Sequence, residues 1–384
     1  MNNRWLLPEY IEDVLPEAAW QVEDVRAKLL SLFKSYGYEL VIPPHVEYIE
    51  SLTGIEGDDL NLKTFKLVDQ ITGRQLGLRA DMTPQVARID AHLLNRMDVT
   101  RLCYAGHVVH TLPAGHFSTR EPLQVGAEIY GSKNLTADIE IIELMSSALK
   151  VAGISEMNVD IGHVGIFRTI CELAKASPQI VDQLFTALQT KDLPSIAELT
   201  INWEESLKVA VLALPSLFGE AESVLATARL KLPTVPAIQD ALETIERVCV
   251  HLATIGVRCS VELGELRTGF YHNGLVFTAF AKGWSNPVAR GGRYDNIGQQ
   301  FGRARAATGF SIDLRDILRG LSTPSGKMSI LAPDSQEPEL RELIAKLRES
   351  GEIVRVDISG GSSDELAWDR KIVKSVNGWE VVSK

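Results

Sequence analysis

One stretch constrains this chain more than any other, because it predicts a specific polar-lined hairpin. Residues 102–131 read LCYAGHVVHTLPAGHFSTREPLQVGAEIYG, two antiparallel strands joined by a polar loop of about ten residues. In the second strand Gln124, Gly126 and Glu128 point to one face, and the apolar residues between them point to the other. An amide and a carboxylate flanking a glycine leave room for a bound molecule. A half-solvated strand explains the same alternation, so other parts of the chain must decide.

Length and composition are those of an ordinary globular protein with two or three domains. The chain has 384 residues, of which 45% are hydrophobic and 23% charged. No apolar run approaches the roughly 18 residues of a membrane span, and the N-terminus does not read as a secretory signal. The four cysteines form no CxxC pair, so we expect reduced thiols and a cytoplasmic protein. The net charge of −11 argues against nonspecific binding of nucleic acid.

The first part of the chain predicts helices and strands in alternation. A helix of period 3.6 begins at Pro16 and runs to about Tyr36, and a strand follows at Tyr38–Ile42. The segments Thr64–Val68 and Gln75–Arg79 flank a Thr-Gly turn and predict a hairpin.

The residues after that hairpin predict a helix whose start carries polar groups. Thr83 is expected to be the N-cap and Pro84 the first helical residue of a helix that ends near Asn95. Asp81 lies two residues before this cap. Its carboxylate there is either a partner of the helix dipole or a group that binds a ligand, and spacing alone leaves both open.

The middle of the chain changes character after a helix at Ala137–Val151 and a strand at Met157–Ile161. Residues 163–253 predict four or five helices and no clear strand, which we interpret as a helical domain inserted into a sheet domain of residues 1–162 and 254–322. Strands are then predicted at Arg258–Leu263, Gly269–His272, Leu275–Ala281 and Ala307–Asp313, the last leading into a helix at Leu314–Leu321.

Two further segments complete the pattern. The residues Arg290–Asp295 read RGGRYD, and taken alone the two glycines favour a tight turn with arginines on the surface. After the linker-like Ser322–Gly326, residues 327–384 predict a small α/β lobe. Its predicted elements are a strand at Met328–Leu331, a helix at Pro338–Ser350, a strand at Glu352–Val356, and short strands near Lys371–Val373 and Trp379–Val382.

Four separated motifs resemble the core of class II histidyl-tRNA synthetases and occur in that family's order. Leu78–Pro84 resembles the loop that holds the amino acid, and Gln124–Glu128 resembles the strand that closes motif 2. Leu266-Arg267 with Tyr271 resembles the first histidine signature, and Arg290–Asp295 the second. The resemblance covers most of the chain. It implies an α+β fold, with a class II aminoacyl-tRNA synthetase-like antiparallel sheet core, a helical insertion and a small C-terminal α/β lobe.

The same resemblance implies a pocket for histidine. Asp81 and Glu128 would supply carboxylates for its ammonium group, Gln124 and Tyr271 would meet the imidazole, and Arg267 would meet the carboxylate. Several charge-assisted bonds of about 1.5–3 kcal/mol each would make micromolar binding plausible. The expected pocket residues are Asp81, Thr83, Gln124, Glu128, Arg267 and Tyr271, with His110, Arg120, His272, Gly291 and Gly292 as further candidates.

The motifs that hold ATP in the synthetases are not retained. Motif 2 there carries Phe-Arg-x-Glu, where this chain has Val109–Leu112 with His110 in place of the arginine and Leu112 in place of the glutamate. Motif 3 ends in an arginine after Gly-Phe-x-Ile. Asp316 takes that position here and would repel phosphate, whereas Arg315 is one residue away and would need a shift of register to replace it.

This combination is similar to the regulatory subunits of short-form ATP phosphoribosyltransferases, which resemble a histidyl-tRNA synthetase core without its catalytic groups. The resemblance implies a non-catalytic chain without cofactor or metal, paired with a short catalytic subunit in the first step of histidine biosynthesis. That family forms synthetase-like homodimers within a hetero-octamer, raises the activity of the catalytic subunit, and is required for feedback inhibition by histidine. Because the C-terminal lobe is short and acidic, we expect no binding of tRNA.

A mechanism for the feedback follows as a hypothesis. Bound histidine would order the loop Thr111–Thr119 and a turn at Gly291-Gly292, and these segments would bias the contact with the catalytic subunit. A coupling of about 1–3 kcal/mol suffices for such regulation.

Three other functions are compatible with parts of the sequence. An active histidyl-tRNA synthetase, or a related aminoacyl-transferring enzyme, would have to bind ATP without the usual cations. A metalloenzyme would use His107, His110 and His116, although their spacing matches no common zinc site. A regulatory sensor with a different partner would normally carry additional domains.

Overall fold

The structure, a computed structural model, describes residues 5–53, 58–115, 118–266, 272–321, 329–358, 368–376 and 378–383. The chain forms two compact units, Met1–Ser322 and Thr323–Lys384. Among the described residues no helix is both long enough and apolar enough to cross a membrane.

The described helices and strands follow the chain in order. The α-helices are α1 (Pro16–Ser35), α2 (Ile49–Thr53), α3 (Asp58–Lys63), α4 (Thr83–Arg88), α5 (Leu135–Val151), α6 (Val164–Leu173), α7 (Pro178–Gln189), α8 (Leu193–Leu199), α9 (Glu205–Ala213), α10 (Ala221–Lys231), α11 (Pro236–Thr254), α12 (Leu314–Arg319) and α13 (Pro338–Glu349). The strands are β1 (Glu39–Leu40), β2 (Val46–Tyr48), β3 (Lys66–Val68), β4 (Gln75–Leu78), β5 (Thr100–His107), β6 (Leu123–Tyr130), β7 (Met157–His163), β8 (Phe218–Gly219), β9 (Arg258–Glu262), β10 (Leu275–Ala281), β11 (Ala289–Arg293), β12 (Ala307–Asp313), β13 (Ser329–Pro333), β14 (Val354–Asp357), β15 (Trp368–Ser375) and β16 (Gly378–Ser383).

The first unit is built on a nine-stranded sheet with the order β1-β5-β6-β12-β11-β10-β7-β9-β8. Six strands, in the order β5-β6-β12-β11-β10-β7, pair antiparallel with one another. At the two ends of this group, β1 pairs with β5 and β9 pairs with β7 in parallel. Residues paired across these strands therefore lie on the same face of the sheet. A separate three-stranded sheet has the order β2-β4-β3 and contains the predicted hairpin.

Helices cover one face of the large sheet. Helix α5 contacts β12, α1 contacts β5, and α11 contacts β7. The alternation in β6 sends Val125, Ala127 and Ile129 into this helix-covered core, where Phe33 of α1 packs edge-to-face on Phe310 at 6.0 Å. Burial of the apolar residues on this side leaves Gln124, Gly126 and Glu128 on the opposite face.

The helical segment between β7 and β9 contains α6 to α11 and shares one hydrophobic core with the sheet. The sequence predicts four or five helices and no clear strand here, whereas the segment has six α-helices, and the two-residue Phe218–Gly219 forms β8, which pairs with β9 at the edge of the sheet. The boundaries 163–253 of an inserted domain stay a prediction.

The predicted turn at RGGRYD is wrong, because residues 290–293 lie in the central strand β11, although Arg290 is on the surface as expected. The glycines of β11 serve close packing: a Cβ on Gly291 would lie 2.4 Å from a ring carbon of Phe277, and one on Gly292 would lie 2.6 Å from the His272 ring. Arg293, by contrast, is not a surface residue. Its guanidinium bonds Asp138 of α5 at 2.7 Å.

The predicted N-cap role of Thr83 is also wrong. Thr83 is the first residue of α4, and its backbone N–H donates to the Asp81 carboxylate at 3.0 Å, which frees the Thr83 side chain for other contacts. After α4 the chain continues as a π-helix, Ile89–Leu94, that ends at Asn95 in a left-handed conformation. Of the strand predicted at Gly269–His272, the first three residues lie outside the described part, and His272 is not in a strand.

The second unit is a four-stranded sheet with the order β14-β13-β15-β16 and the helix α13. The helix packs on the sheet through Leu340 and Ile344, against Ile330 and Ile372. The two short strands predicted at the end of the chain are longer than expected and form the hairpin of β15 and β16.

The ion pair between Arg305 and Asp90 of the π-helix gives a stability prediction. The two charged groups lie 2.7 Å apart and their side chains are 7% and 2% exposed. The substitution Arg305→Met should lower the free energy of unfolding by about 3–5 kcal/mol, because it leaves a buried carboxylate without its cation. Denaturant titration would measure this. Arg303→Met, which removes an exposed bond to Asn95, is the control and should cost below about 1 kcal/mol. Equal losses would contradict the prediction.

Candidate functional site

The other face of the central strands packs against α4 through a second hydrophobic cluster, and the polar side chains within this layer form what we call the candidate pocket. Tyr104 of β5 pairs with Gly126 of β6, and Gly309 of β12 pairs with Glu128, so these residues share one face. The glycines make room for their neighbours. A Cβ on Gly126 would lie 2.5 Å from the Tyr104 hydroxyl, and one on Gly309 would lie 1.4 Å from a Glu128 oxygen.

Glu128 lies at the bottom of this pocket, where hydroxyl groups surround its carboxylate. Tyr104 donates to it at 3.0 Å, Thr83 at 3.2 Å, and Tyr294 donates to its other oxygen. Glu128 is 1% exposed. Burial raises the pKa of its carboxyl to about 8, although the hydroxyl donors act in the opposite direction. A pKa of about 8 keeps the carboxyl largely protonated at neutral pH.

A second carboxylate, that of Asp81, lies nearer the surface and is held by Gln124. The Gln124 amide donates to Asp81 at 2.8 Å, and its carbonyl oxygen accepts the backbone N–H of Met82 at 2.8 Å. Asp81 also accepts from the N–H of Thr83. The structure thus brings together Asp81, Thr83, Gln124 and Glu128, four of the six residues expected in the pocket. Arg267 and Tyr271 lie outside the described residues.

The further candidates occupy different places around this pocket. The His110 ring bonds the Ala80 carbonyl at 2.9 Å, next to Asp81, and the Arg120 guanidinium bonds the carbonyl of His110 at 3.0 Å. His272 is buried and lies edge-to-face with Tyr294 at 6.1 Å between ring centres. Gly292 faces His272, whereas Gly291 faces Phe277 on the other side of β11.

Sequence reasoning did not assign the tyrosines around Glu128 to the site. Tyr104 and Tyr294 bond Glu128 directly, and Tyr130 lies 3.5 Å from the Tyr294 hydroxyl. For Tyr294 a signal existed, because it belongs to the RGGRYD motif. Tyr104 would have required the hairpin register, which pairs it with Gly126.

The start of α12, in the segment that resembles motif 3, carries carboxylates. Asp313 accepts the backbone N–H of Arg315 at 3.0 Å at the start of α12, and burial and the nearby Asp316 raise its pKa to about 7. The Arg315 side chain is 6% exposed and is held by the backbone carbonyls of Glu121 and Glu12, at 3.1 and 3.3 Å. Its donors are committed to these groups, so the shift of register that the sequence left open is not seen.

The histidines near the loop do not assemble a metal site within the part of the chain that the structure describes. No group of three possible ligands from His, Cys, Asp and Glu occurs there. His116 lies outside the described residues.

The buried carboxyl of Glu128 predicts a pH dependence of stability. Its pKa is about 8 in the folded chain and roughly 4.3 in an unfolded one. The unfolded state therefore loses this proton first, and the free energy of unfolding should fall as the pH rises from about 5 to 8, by a few kcal/mol at about 1.4 per pKa unit. The variant Glu128→Gln cannot lose that proton.

Denaturant titration of the two proteins at pH 5.5 and pH 8 would test this. The free energy of unfolding of the Gln variant, relative to that of the original protein, should rise from pH 5.5 to pH 8. A difference that stays constant would show that Glu128 is ionised throughout.

Comparison with known proteins relates the chain to two groups. The sequence model described as "Histidyl-tRNA synthetase" matches residues 10–317, and the one described as "ATP phosphoribosyltransferase subunit HisZ C-terminal domain" matches residues 327–382. The ATP phosphoribosyltransferase regulatory subunit of Cupriavidus taiwanensis is 50% identical, with 100% of both chains covered. That of Chromobacterium violaceum is 52% identical over 98% of each chain.

Solved structures agree with the fold. A Bacillus halodurans protein described as an ATP phosphoribosyltransferase regulatory subunit/histidyl-tRNA synthetase is 28% identical, with a TM-score of 0.82 over 94% of this chain and 95% of that one. Histidyl-tRNA synthetase from Nostoc, 16% identical, has a TM-score of 0.79 over 99% and 97% and supports the fold alone. The expected synthetase-like α+β fold is confirmed. The chain belongs to the family of ATP phosphoribosyltransferase regulatory subunits.

Proposed function

We propose that this chain is a non-catalytic subunit that activates a short-form ATP phosphoribosyltransferase and mediates its feedback inhibition by histidine. The observation that carries the proposal is a pocket that keeps the carboxylates for an amino acid but has acidic groups where phosphate would bind. The names of relatives about 50% identical over the whole chain support the same role.

The two carboxylates suit different parts of a histidine molecule. Asp81 lies nearer the surface, and Gln124 already uses both ends of its amide, so Asp81 is the better partner for the ammonium group. Glu128 lies deeper, among the rings of Tyr104 and Tyr294. A carboxyl there can accept a hydrogen bond from an imidazole N–H, or donate one to the other ring nitrogen when protonated. We therefore propose that the imidazole lies beside Glu128, rather than the ammonium group that the resemblance in sequence assigns to this carboxylate.

The phosphate side argues against adenylation. A triphosphate needs fixed cations, but Arg315 is held by Glu121 and Glu12, and Asp313 lies at the start of the same helix. The ring of His110 supports the Ala80 carbonyl instead of facing a phosphate. These three placements support a chain that binds an amino acid without activating it.

The proposal includes an assembly and a location. The chain forms a homodimer within a hetero-octamer with the catalytic subunit in the cytoplasm, as in its family, and it does not bind tRNA. The C-terminal lobe from Met328 onward supports the last point, with eight Lys and Arg against eleven Asp and Glu, a balance of −3. Because Gly291 and Gly292 lie in β11, only the Thr111–Thr119 loop remains of the two segments expected to respond to histidine.

The central test mixes the purified chain with a short-form ATP phosphoribosyltransferase. The rate of condensation of ATP with phosphoribosyl pyrophosphate should rise when the chain is added. Histidine should then lower this rate. The catalytic subunit alone should be inhibited less by the same concentration of histidine. A rate that is unchanged by the chain would overturn the proposal.

The substitution Asp81→Asn tests the pocket. It keeps the shape of the side chain but removes its charge, so histidine binding should weaken by about 1.5–3 kcal/mol, roughly ten- to a hundredfold in Kd. Calorimetric titration would measure this, with Asp240→Asn on the exposed side of α11 as the control. If both variants bind histidine like the original protein, the effector site lies elsewhere.

The rival function, an active synthetase, has its own assay. Histidine-dependent exchange of pyrophosphate into ATP should stay at background with the purified chain. Exchange above background would show that His110, Leu112 and Asp316 do not prevent adenylation.

A further inference from the structure

The first described residues form a segment whose backbone is held by hydrogen bonds but most of whose apolar side chains are exposed. We call residues 5–15 the N-terminal arm. All of its residues except Ile11 are exposed. Six large apolar side chains are among them, with Trp5 at 79% and Leu15 at 70% exposure. Exposed large apolar side chains at this density are typical of a surface that binds another protein. The exposed apolar residues are Trp5, Leu6, Leu7, Tyr10, Val14 and Leu15.

Backbone groups and one carboxylate hold the arm in place. Its Tyr10 carbonyl accepts the backbone N–H of Arg120 at 2.9 Å and the hydroxyl of Thr119 at 3.2 Å. Glu12 is paired with Arg315 at 3.4 Å and also with Arg319 of α12. These bonds fix the path of the chain while its apolar side chains remain available to a partner.

The charge of this region indicates what kind of surface it fits. Residues 5–24 contain six Asp and Glu and no Lys or Arg. In the described part of the chain, ion pairs are made by Glu12 and Glu23 but not by the other four. Apolar anchors among uncompensated carboxylates complement an apolar recess with a rim of lysine and arginine.

The arm is continuous with the candidate histidine pocket. The Ala80 carbonyl, adjacent to Asp81, accepts from the His110 ring at 2.9 Å. His110 and Arg120 exchange two bonds, because the His110 N–H donates to the Arg120 carbonyl at 2.8 Å and the Arg120 guanidinium donates to the His110 carbonyl. Arg120 then bonds the Tyr10 carbonyl. Two residues therefore connect the pocket to the arm.

We propose that the N-terminal arm docks on the catalytic subunit, in an apolar recess rimmed by basic residues, and that the His110–Arg120 connection transmits the state of the histidine pocket to this contact. The proposal rests on the proposed function, since it names the surface through which that function is exerted. A change at Asp81 would reach the arm through these hydrogen bonds.

The docking is tested with the double variant Trp5→Ser, Leu7→Ser in the full chain. Both side chains are exposed, so the variant should keep the original far-UV circular dichroism spectrum. Its Kd for histidine should change less than twofold. The Kd for the catalytic subunit, measured by biolayer interferometry, should rise at least tenfold, and more of the subunit should be needed for half-maximal activation. Leu230→Ser is the control, because Leu230 is 88% exposed on α10 and distant in sequence.

The outcomes separate this inference from the proposed function. If the original chain neither binds nor activates the catalytic subunit, the proposed function fails. If the original chain binds and the double variant binds equally well, only the arm proposal is wrong. If the double variant elutes in gel filtration with half the apparent mass of the original chain, the arm is a contact between two copies. This outcome also overturns the proposal.

A second variant tests the connection. His110→Leu removes the bond to Ala80 and leaves the arm intact. The Kd for the catalytic subunit without histidine should then match that of the original chain, whereas saturating histidine, established by titration of the variant, should no longer change it. If histidine still shifts this Kd as in the original chain, His110 does not transmit the signal.

Discussion

A carboxyl group in the middle of a β-sheet is costly to bury unless other groups satisfy it. In this protein that group is Glu128, and the surrounding floor is arranged around it. Glycine at position 309 leaves space for the carboxyl, and Tyr104, Thr83 and Tyr294 turn hydroxyls toward it. Tyr104 lies in β5, Gly309 in β12 and Tyr294 directly after β11. Thr83 lies in the first turn of α4. The antiparallel order of β5, β6, β12 and β11 is what brings them together.

The two halves of the site differ in how their polar groups are used. In the amino-acid half, the uncharged Gln124 amide holds Asp81 in place, so its carboxylate remains available to a cationic ligand, and hydroxyl groups hold the buried Glu128 carboxyl. In the other half, Arg315 is bonded to Glu121 and Glu12. The cation that could meet a phosphate instead holds the N-terminal arm. The polar groups of the first half are therefore placed to bind a ligand, whereas those of the second half hold the structure together.

The sequence predicted those features that depend on local periodicity. Helix α1 and helix α13 lie within one or two residues of their predicted positions, because proline marks each start and the apolar spacing is regular. The strand β11 was missed because its two glycines read as a turn, and only the packing of Phe277 and His272 explains them. In the site, Asp81, Gln124 and Glu128 were predicted from resemblance and alternation. The hydroxyls of Tyr104 and Tyr294 were not, since they depend on strand register, and the position of Arg315 depends on Glu12, 303 residues earlier in the chain.

The single hydrophobic core shared by the sheet and helices α6 to α11 has a consequence for folding. Residues such as Phe167 and Ile245 from the helices belong to the same buried cluster as Val159 and Ile161 of β7. Removing the helical segment would expose one side of that cluster, so the remaining sheet would not be an autonomous folding unit. Sheet and helices should therefore open together in native-state hydrogen exchange, with their slowest amides reporting one common free energy.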